Sequence, residues 1–418
     1  MKVLIPTLGS AGDVHPFLAI GRALQARGHT VEVITNPVFQ PMVTAARLSF
    51  HAVGTAAHYH DALSSPKLWH PVDGFGVFWR RMARHAMEPV YRRIESQNIQ
   101  GPCVVLSTPL MLGARLAHEK LGVPLVTAYT AATMLRSCEY PLTLAHWRVP
   151  RWPQSLLRPA LALAWQALDH LKLHPMLAAD LPALRHALGL PLMTGSVFGQ
   201  WVHSPQAGVT LFPRWFAPAP SDWPKQVSQA GFPLYDGDKA QGLDAALQVF
   251  LSAGAPPVVF TPGSAMGHGH AFFEAAVRTC QTLGKRGVLL TPRGQQIPAD
   301  LPATMHHSAY APFGLLLPRA SALVHHGGIG NTAQALRAGL PQLITPMAFD
   351  QFDNAMRLER LGVAASVARQ DTAFATMAAK LKILLESPDV ASACRVIAQR
   401  MADDHGSDAV CDLLESVQ

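Results

Sequence analysis

The segment Val324-His325-His326-Gly327-Gly328-Ile329-Gly330-Asn331-Thr332 carries the densest chemistry in the sequence. An apolar run, Ala322-Leu323-Val324, ends in a histidine pair and a glycine-rich turn, and a helix-forming stretch, Thr332 to Ala338, follows at once. A strand, a tight turn and a helix N-terminus in that order leave backbone N–H groups unsatisfied and partly positive, which suits phosphate. Downstream, Pro346-Met347-Ala348-Phe349-Asp350-Gln351 ends a second apolar run, Gln342 to Pro346, with a carboxylate and an amide side by side. Those two groups suit a polyol better than a phosphate. A diphosphate site and a sugar-hydroxyl site on adjacent strands imply one ligand that carries both. Neighbouring residues on a strand point apart, so the histidine pair is a poor metal site. One imidazole on the phosphate side of the turn is a diphosphate donor. His326 is nearest the turn and His325 fits the core, but the sequence leaves open which of them faces the phosphate.

The first turn between strand and helix reads Gly9-Ser10-Ala11-Gly12-Asp13-Val14-His15-Pro16. It lacks the G-x-G-x-x-G spacing, and the second strand ends in Thr35-Asn36 where a dinucleotide site needs Asp or Glu, so no nicotinamide cofactor is expected. Two readings of Asp13 stand level: a carboxylate stabilised by the helix dipole, or a general base for an acceptor hydroxyl. His15 is a second candidate base, although among 20 histidines most serve structure. The turn Thr261-Pro262-Gly263-Ser264 lets a glycine and a hydroxyl approach a phosphate or ribose; taken alone, an ordinary turn is the commoner reading. Tyr310-Ala311-Pro312 offers an aromatic and free backbone to a pyrimidine, against the commoner reading of a core tyrosine. Asp236-Gly237-Asp238 has the D-x-D form of a metal signature, yet its glycine- and proline-flanked setting reads as a plain turn. No other carboxylate pair suggests a divalent metal, and none is expected.

The elements that must position these groups alternate. Val3–Leu8, Val31–Thr35, Val104–Ser107, Leu125–Ala128 and Val209–Phe212 read as strands of a first half, with helices at Pro16–Arg27 and Leu110–Leu121. A proline- and tryptophan-rich stretch, Pro213 to Pro224, reads as the connection. Val227–Ala230 enters a second half, with strands at Val258–Thr261, Val288–Thr291, Leu323–His325 and Leu343–Pro346 and a helical tail from Asp389 to Val417. This rhythm predicts an α/β fold of two doubly wound parallel sheets, with ligands at the strand carboxyl ends. The expected domains are 1–224, 225–400 and a terminal helix, 401–418, that packs back on the first.

At 418 residues with 49% apolar composition, two globular domains are expected. The five scattered cysteines suggest neither a disulfide framework nor zinc, and point to a reducing compartment. No signal peptide and no bilayer-length apolar stretch is seen, so a cytoplasmic protein is expected, with peripheral contact at the inner face of the membrane as a further expectation. The net charge of +7 is modest, and the arginines at 80, 81, 84, 92 and 93 read as a solvated helix face before an anion-binding one. No nucleic-acid signature accompanies them. Trp69, Phe75, Phe78, Trp79, Trp147, Trp152 and Trp165 supply apolar surface, most of it core, some of it available to an apolar acceptor.

With these residues in place, the sequence resembles the nucleotide-sugar-dependent glycosyltransferases of the GT1 family, which have the GT-B fold. Gly9–Pro16, with Gly9, Ser10 and Gly12, looks like the family's acceptor-side loop. His326–Asn331 with Asp350-Gln351 looks like its donor signature. Trp201–Gln206, Leu211–Pro218, Gly231–Gly237 and Asp350–Asn354 suggest the rhamnolipid rhamnosyltransferase group within it. The resemblance implies an inverting, metal-independent transfer from a dTDP- or UDP-sugar, most simply L-rhamnose from dTDP-rhamnose, to an apolar hydroxylated acceptor. It implies Asp13 as the base. His325 or His326, Gly328, Gly330, Asn331 and Thr332 would hold the diphosphate, and Ser264 would touch phosphate or ribose. Tyr310 with the Ala311 backbone would hold the nucleobase, and Asp350 and Gln351 the sugar hydroxyls. Phe313 stands where many plant members carry glutamine, so base preference does not transfer. The alternatives are a UDP-glucose-dependent enzyme for small aromatic or terpenoid acceptors, a sugar-nucleotide epimerase or phosphorylase, and a non-catalytic partner subunit. Oligomeric state is not legible.

Overall fold

The computed structural model describes residues 1–140, 143, 153–237, 242–267, 269–368 and 374–417. Trp147, Trp152 and Asp238 lie outside the described residues. The first sheet contains β1 (Lys2–Pro6), β2 (Thr30–Thr35), β3 (Ser49–Ala52), β4 (Cys103–Ser107), β5 (Leu125–Tyr129), β6 (Ala207–Thr210) and β7 (Val227–Gln229). Its order is β3-β2-β1-β4-β5-β6-β7, and every pairing is parallel. The second sheet contains β8 (Val258–Thr261), β9 (Gly287–Leu290), β10 (Met305–Ser308), β11 (Ala322–His325), β12 (Gln342–Ile344) and β13 (Ala364–Ser366). It runs β10-β9-β8-β11-β12-β13, again all parallel. Helices cover both faces of such sheets, so central strands are apolar throughout. Val3, Leu4 and Ile5 are fully buried, as are Val258, Val259 and Phe260.

Each sheet reverses its order at one place: between β1 and β4 in the first, between β8 and β11 in the second. Loops leaving neighbouring strands there diverge to opposite faces and open a crevice. The Gly9–Asp13 turn follows β1. The Gly263-Ser264 and His326 turns follow β8 and β11, which run in register from Ala322 opposite Val258 to His325 opposite Thr261. The chemistry-bearing turns therefore occupy both reversal points.

Several elements differ from the sequence expectation. Val227–Gln229 does not enter the second half; it pairs with Gly208–Thr210 as the edge strand of the first sheet. The first helix spans Ala11–Ala26, so Pro16 lies inside it rather than at its first turn. Proline has no N–H for the carbonyl four residues earlier, so Gly12 lacks its usual helix partner. The helix after the histidine pair spans Ile329–Arg337 and starts three residues sooner than expected. Three edge or peripheral strands, β3, β10 and β13, carry too little apolar pattern to be read from sequence.

One apolar cluster joins the halves. Tyr129, Phe212, Phe216 and Phe232 pack with Leu336, Ile344, Ile397 and Met401. Beyond it the polypeptide crosses back. Asp404 accepts the Phe232 N–H (3.0 Å) and the Gly406 N–H (3.0 Å). The helix Gly406–Ser416 then lies along Ala11–Ala26, where Arg27 Nη1 meets Asp412 (2.5 Å) and Glu415 (3.2 Å). Among the described residues no helix is long and apolar enough to cross a membrane.

Candidate functional site

Two helix N-termini meet across the cleft. A Cβ built on Gly330, in the first turn of Ile329–Arg337, would lie 3.5 Å from the Gly12 Cα, in the first turn of Ala11–Ala26. Both positive helix ends thus face one space. In the helix Ile329–Arg337 the Thr332 N–H is spent on the Gly328 carbonyl (3.0 Å), so the free donors are those of Ile329, Gly330 and Asn331. Thr332 itself is fully buried, and its Oγ1 has no partner among the described residues.

The histidines separate cleanly. His325 is fully buried; its Nδ1 accepts the Gly327 N–H (3.1 Å) and its Nε2 donates to Gln342 Oε1 (3.0 Å). Both ring nitrogens are occupied, and burial lowers its pKa to about 3, so it is a neutral brace between β11 and β12. His326 turns the other way. Its ring fills the space beside two glycines: a Cβ on Gly263 would fall 2.6 Å from its Cε1, and one on Gly328 2.5 Å from its Nε2. Gly263 has φ +96°, so side chains are excluded there twice over. His326 Nδ1 is buried without a partner among the described residues, and burial lowers the ring's pKa to about 4. A neutral imidazole with an unused nitrogen stands at the glycine turn after β11.

Asp13 is both cap and free carboxylate. Its Oδ2 accepts the Ser10 N–H (2.7 Å) and the Ser10 hydroxyl (2.9 Å), closing the N-terminus of its own helix. Gly9, at φ +138°, lets that oxygen approach, since a Cβ would sit 2.4 Å from it. Oδ1 takes no hydrogen bond from the described residues. Burial raises the Asp13 pKa, against the lowering effect of Ser10. His15 instead lies against Tyr235, ring centroids 5.6 Å apart, and burial lowers its pKa to about 4 with Asp236 opposing. It is neutral and turned to the crossing between the domains.

The Pro346–Gln351 loop is tied to the His326 turn by a residue that sequence reasoning passed over. Asn354 Nδ2 donates to the Gly327 carbonyl (2.9 Å) and to Asp350 Oδ2 (2.7 Å). Asn354 lies one turn after Asp350 and shares its face of the helix, which is the signal that could have found it. The Gln351 Oε1 accepts the N–H groups of Met347 (2.8 Å) and Ala348 (3.1 Å), so it shapes the loop and only its amide nitrogen remains free for a ligand. Phe349, at φ +55°, is held in a left-handed conformation and reaches the opposite domain, where its ring meets Trp69 edge-on at 6.2 Å. After β10, Tyr310 is more than half exposed and its neighbour Ala311 is buried. Ser264 is exposed at its turn. Asp236 is no metal ligand here: Arg337 holds it with two hydrogen bonds (2.8 and 2.6 Å). Among the described residues no three His, Cys, Asp or Glu side chains are placed to share a metal ion.

Asp350 has its pKa pushed up to about 7, first by burial and then by the charge of Asp13. A carboxyl that binds its proton more tightly when folded makes the protein most stable below the unfolded pKa; that stability is lost as pH rises from about 4 through about 7. Asp350→Asn removes the titration. The variant should therefore gain thermal stability over the wild type at about pH 8 and lose that advantage at about pH 4. Melting curves that shift equally at both pH values would refute the assignment.

Residues 3–138 match the Glycosyltransferase family 28 N-terminal domain, and residues 288–415 match the Erythromycin biosynthesis protein CIII-like, C-terminal domain. O-mycaminosyltylonolide 6-deoxyallosyltransferase of Streptomyces fradiae is 29% identical over 443 residues, covering 99% of this chain and 97% of that protein. The solved spinosyn rhamnosyltransferase SpnG, complexed with spinosyn aglycone, superposes with TM-score 0.69 at 20% identity, over 99% of this chain and 100% of that one. Glycosyltransferase VinC, in complex with dTDP, gives TM-score 0.69 at 19% identity, over 100% and 99%. The two parallel-sheet domains facing one cleft are the GT-B architecture.

Proposed function

We propose that this protein, which is a glycosyltransferase of the GT1 family, moves L-rhamnose from dTDP-rhamnose to a hydroxyl of an apolar, lipid-like or natural-product acceptor, with inversion and without a metal. The observation that carries the reading is the approach of the Asp13 turn to the His326 turn at the meeting of two helix N-termini. In this mechanism Asp13 Oδ1 accepts the proton of the acceptor hydroxyl. The acceptor oxygen attacks the anomeric carbon from the face opposite the diphosphate, and the bond to the leaving oxygen breaks. The charge that develops there is received by the N–H groups of Ile329, Gly330 and Asn331 and by His326. The raised pKa of Asp13 strengthens it as a base. Asp350, titrating near neutrality, and the free amide nitrogen of Gln351 take the sugar hydroxyls. Ser264 lies on the phosphate or ribose side, and Tyr310 with the Ala311 backbone on the base side. Closure of Phe349 on Trp69 would keep water from the donor.

The sugar and nucleotide rest on kinship. A relative is named for transferring a 6-deoxyallosyl group, and structures of the same fold are named for rhamnosyl transfer to an aglycone and for a dTDP complex. For a lipid-like acceptor the reading includes peripheral membrane contact, for which exposed Leu156, Leu163 and Leu171 offer an apolar face. The test is product mass spectrometry after incubation with dTDP-rhamnose or UDP-glucose and three acceptors: a hydroxy fatty acid ester, a macrolide aglycone and a sterol. Deoxyhexosylated product from the dTDP donor is expected. Hexosylated product from UDP-glucose alone would move the assignment to a glucosyltransferase.

A further inference from the structure

Arg293 stands at the carboxyl end of β9, beside the Ser264 turn, and has no part in the mechanism so far. Its Nη1 donates to the Ser264 carbonyl (3.0 Å) and to the Met266 carbonyl (2.8 Å), while its own backbone N–H is fixed by Thr291 Oγ1 (3.2 Å). The side chain is thus held in one pose. A guanidinium has five N–H donors, and the two carbonyls occupy one nitrogen; those on Nε and Nη2 are left over. No carboxylate among the described residues forms an ion pair with it. Nothing among the described residues neutralises this partly buried guanidinium, so its remaining donors are available to an anion. Its surroundings say where that anion would be. The turn it braces includes Gly263, which abuts His326. Its charge also acts across the cleft on the hydroxyl of Tyr59, in the first domain, opposing the effect of Asp13 on the same group.

We propose that Arg293 is a further diphosphate-binding residue, clamping the Ser264 turn with one nitrogen and offering its remaining donors to the leaving diphosphate. The proposal rests on the donor-cleft reading above and adds the group that neutralises charge the helix dipole only partly offsets. An arginine rather than a lysine suits the task, because its planar fork can brace a backbone and grip an oxyanion at once.

Calorimetric titration of the wild type, Arg293→Met and Arg293→Lys with dTDP and UDP, alongside thymidine and uridine followed by ligand-observed NMR, separates phosphate contact from loop bracing. For the diphosphate that the wild type prefers, Arg293→Met should lose about 10- to 100-fold in affinity, with a flatter salt dependence, and Arg293→Lys should keep part of it. Affinity for the matching nucleoside should be unchanged. Equal losses for nucleoside and diphosphate would make Arg293 a loop brace only and overturn the proposal, as would no loss for either. A wild type that binds neither diphosphate would instead bring down the donor-cleft reading itself.

Discussion

Asp13→Asn is expected to reduce transfer by about 10²–10⁴-fold while dTDP binding is retained. The choice of asparagine matters, because Asp13 has two tasks. Its Oδ2 takes two hydrogen bonds from Ser10 and caps the helix Ala11–Ala26. Alanine would remove the cap as well as the base, and a lost cap costs about 1 kcal/mol. Asparagine keeps a side-chain oxygen for Ser10 and removes the basicity. If the cap were all that mattered, Asp13→Asn would be nearly as active as the wild type and Asp13→Ala would be impaired in proportion to its loss of stability. The pH profile gives a second reading. Burial raises the Asp13 pKa, so the acid limb of kcat/KM should lie above the ordinary carboxylate range, with activity rising as Asp13 gives up its proton.

His326→Ala is expected to lower kcat by about 10²–10³-fold, the usual cost of removing one donor to a developing oxyanion. With a pKa of about 4 the ring is neutral at pH 7, so it acts by a directed N–H and not by charge. His326→Gln should therefore recover much of the loss, and activity should show no limb from this histidine above about pH 5. Gly263→Val supplies an independent test. Its Cβ would lie 2.6 Å from the ring, and its φ of +96° disfavours any side chain. It should reproduce the His326→Ala defect with the imidazole still present. Single-turnover kinetics at saturating donor would read both variants. A variant at position 326 with unaltered kcat would remove the imidazole from the leaving-group site.

Local chemistry was legible wherever a strand ran straight into a glycine turn and a helix. The Asp13, Ser264 and His326 turns all lie at strand carboxyl ends because that order of residue types leaves the backbone few alternatives. Long-range pairing was not legible. Val227–Gln229 follows a proline- and tryptophan-rich stretch that looks like a linker, and only its partner β6 assigns it to the first sheet. The two histidines could not be told apart from sequence, because what distinguishes them is Gln342 on the next strand. Thr332 reads as a phosphate contact by its place in the motif, and the fold buries its hydroxyl without a partner among the described residues. Arg293 and the Phe349–Trp69 contact were missed because each acts on a segment that folding alone brings near, whereas Asn354 was legible from its one-turn spacing to Asp350. Burial raises the pKa of both Asp13 and Asp350, which sequence does not show, and Asp13 also caps its own helix.

The proposed mechanism depends on one placement, a leaving diphosphate between the His326 turn and the carboxylate opposite. Crystals of Asp13→Asn with intact dTDP-sugar and an acceptor test it most directly. Oxygens of the β-phosphate are expected about 2.7–3.2 Å from the N–H groups of Gly330 and Asn331 and from a nitrogen of His326, with the acceptor oxygen at similar distance from the side chain at position 13. A diphosphate seated away from that helix N-terminus, or an acceptor hydroxyl out of reach of position 13, would contradict it.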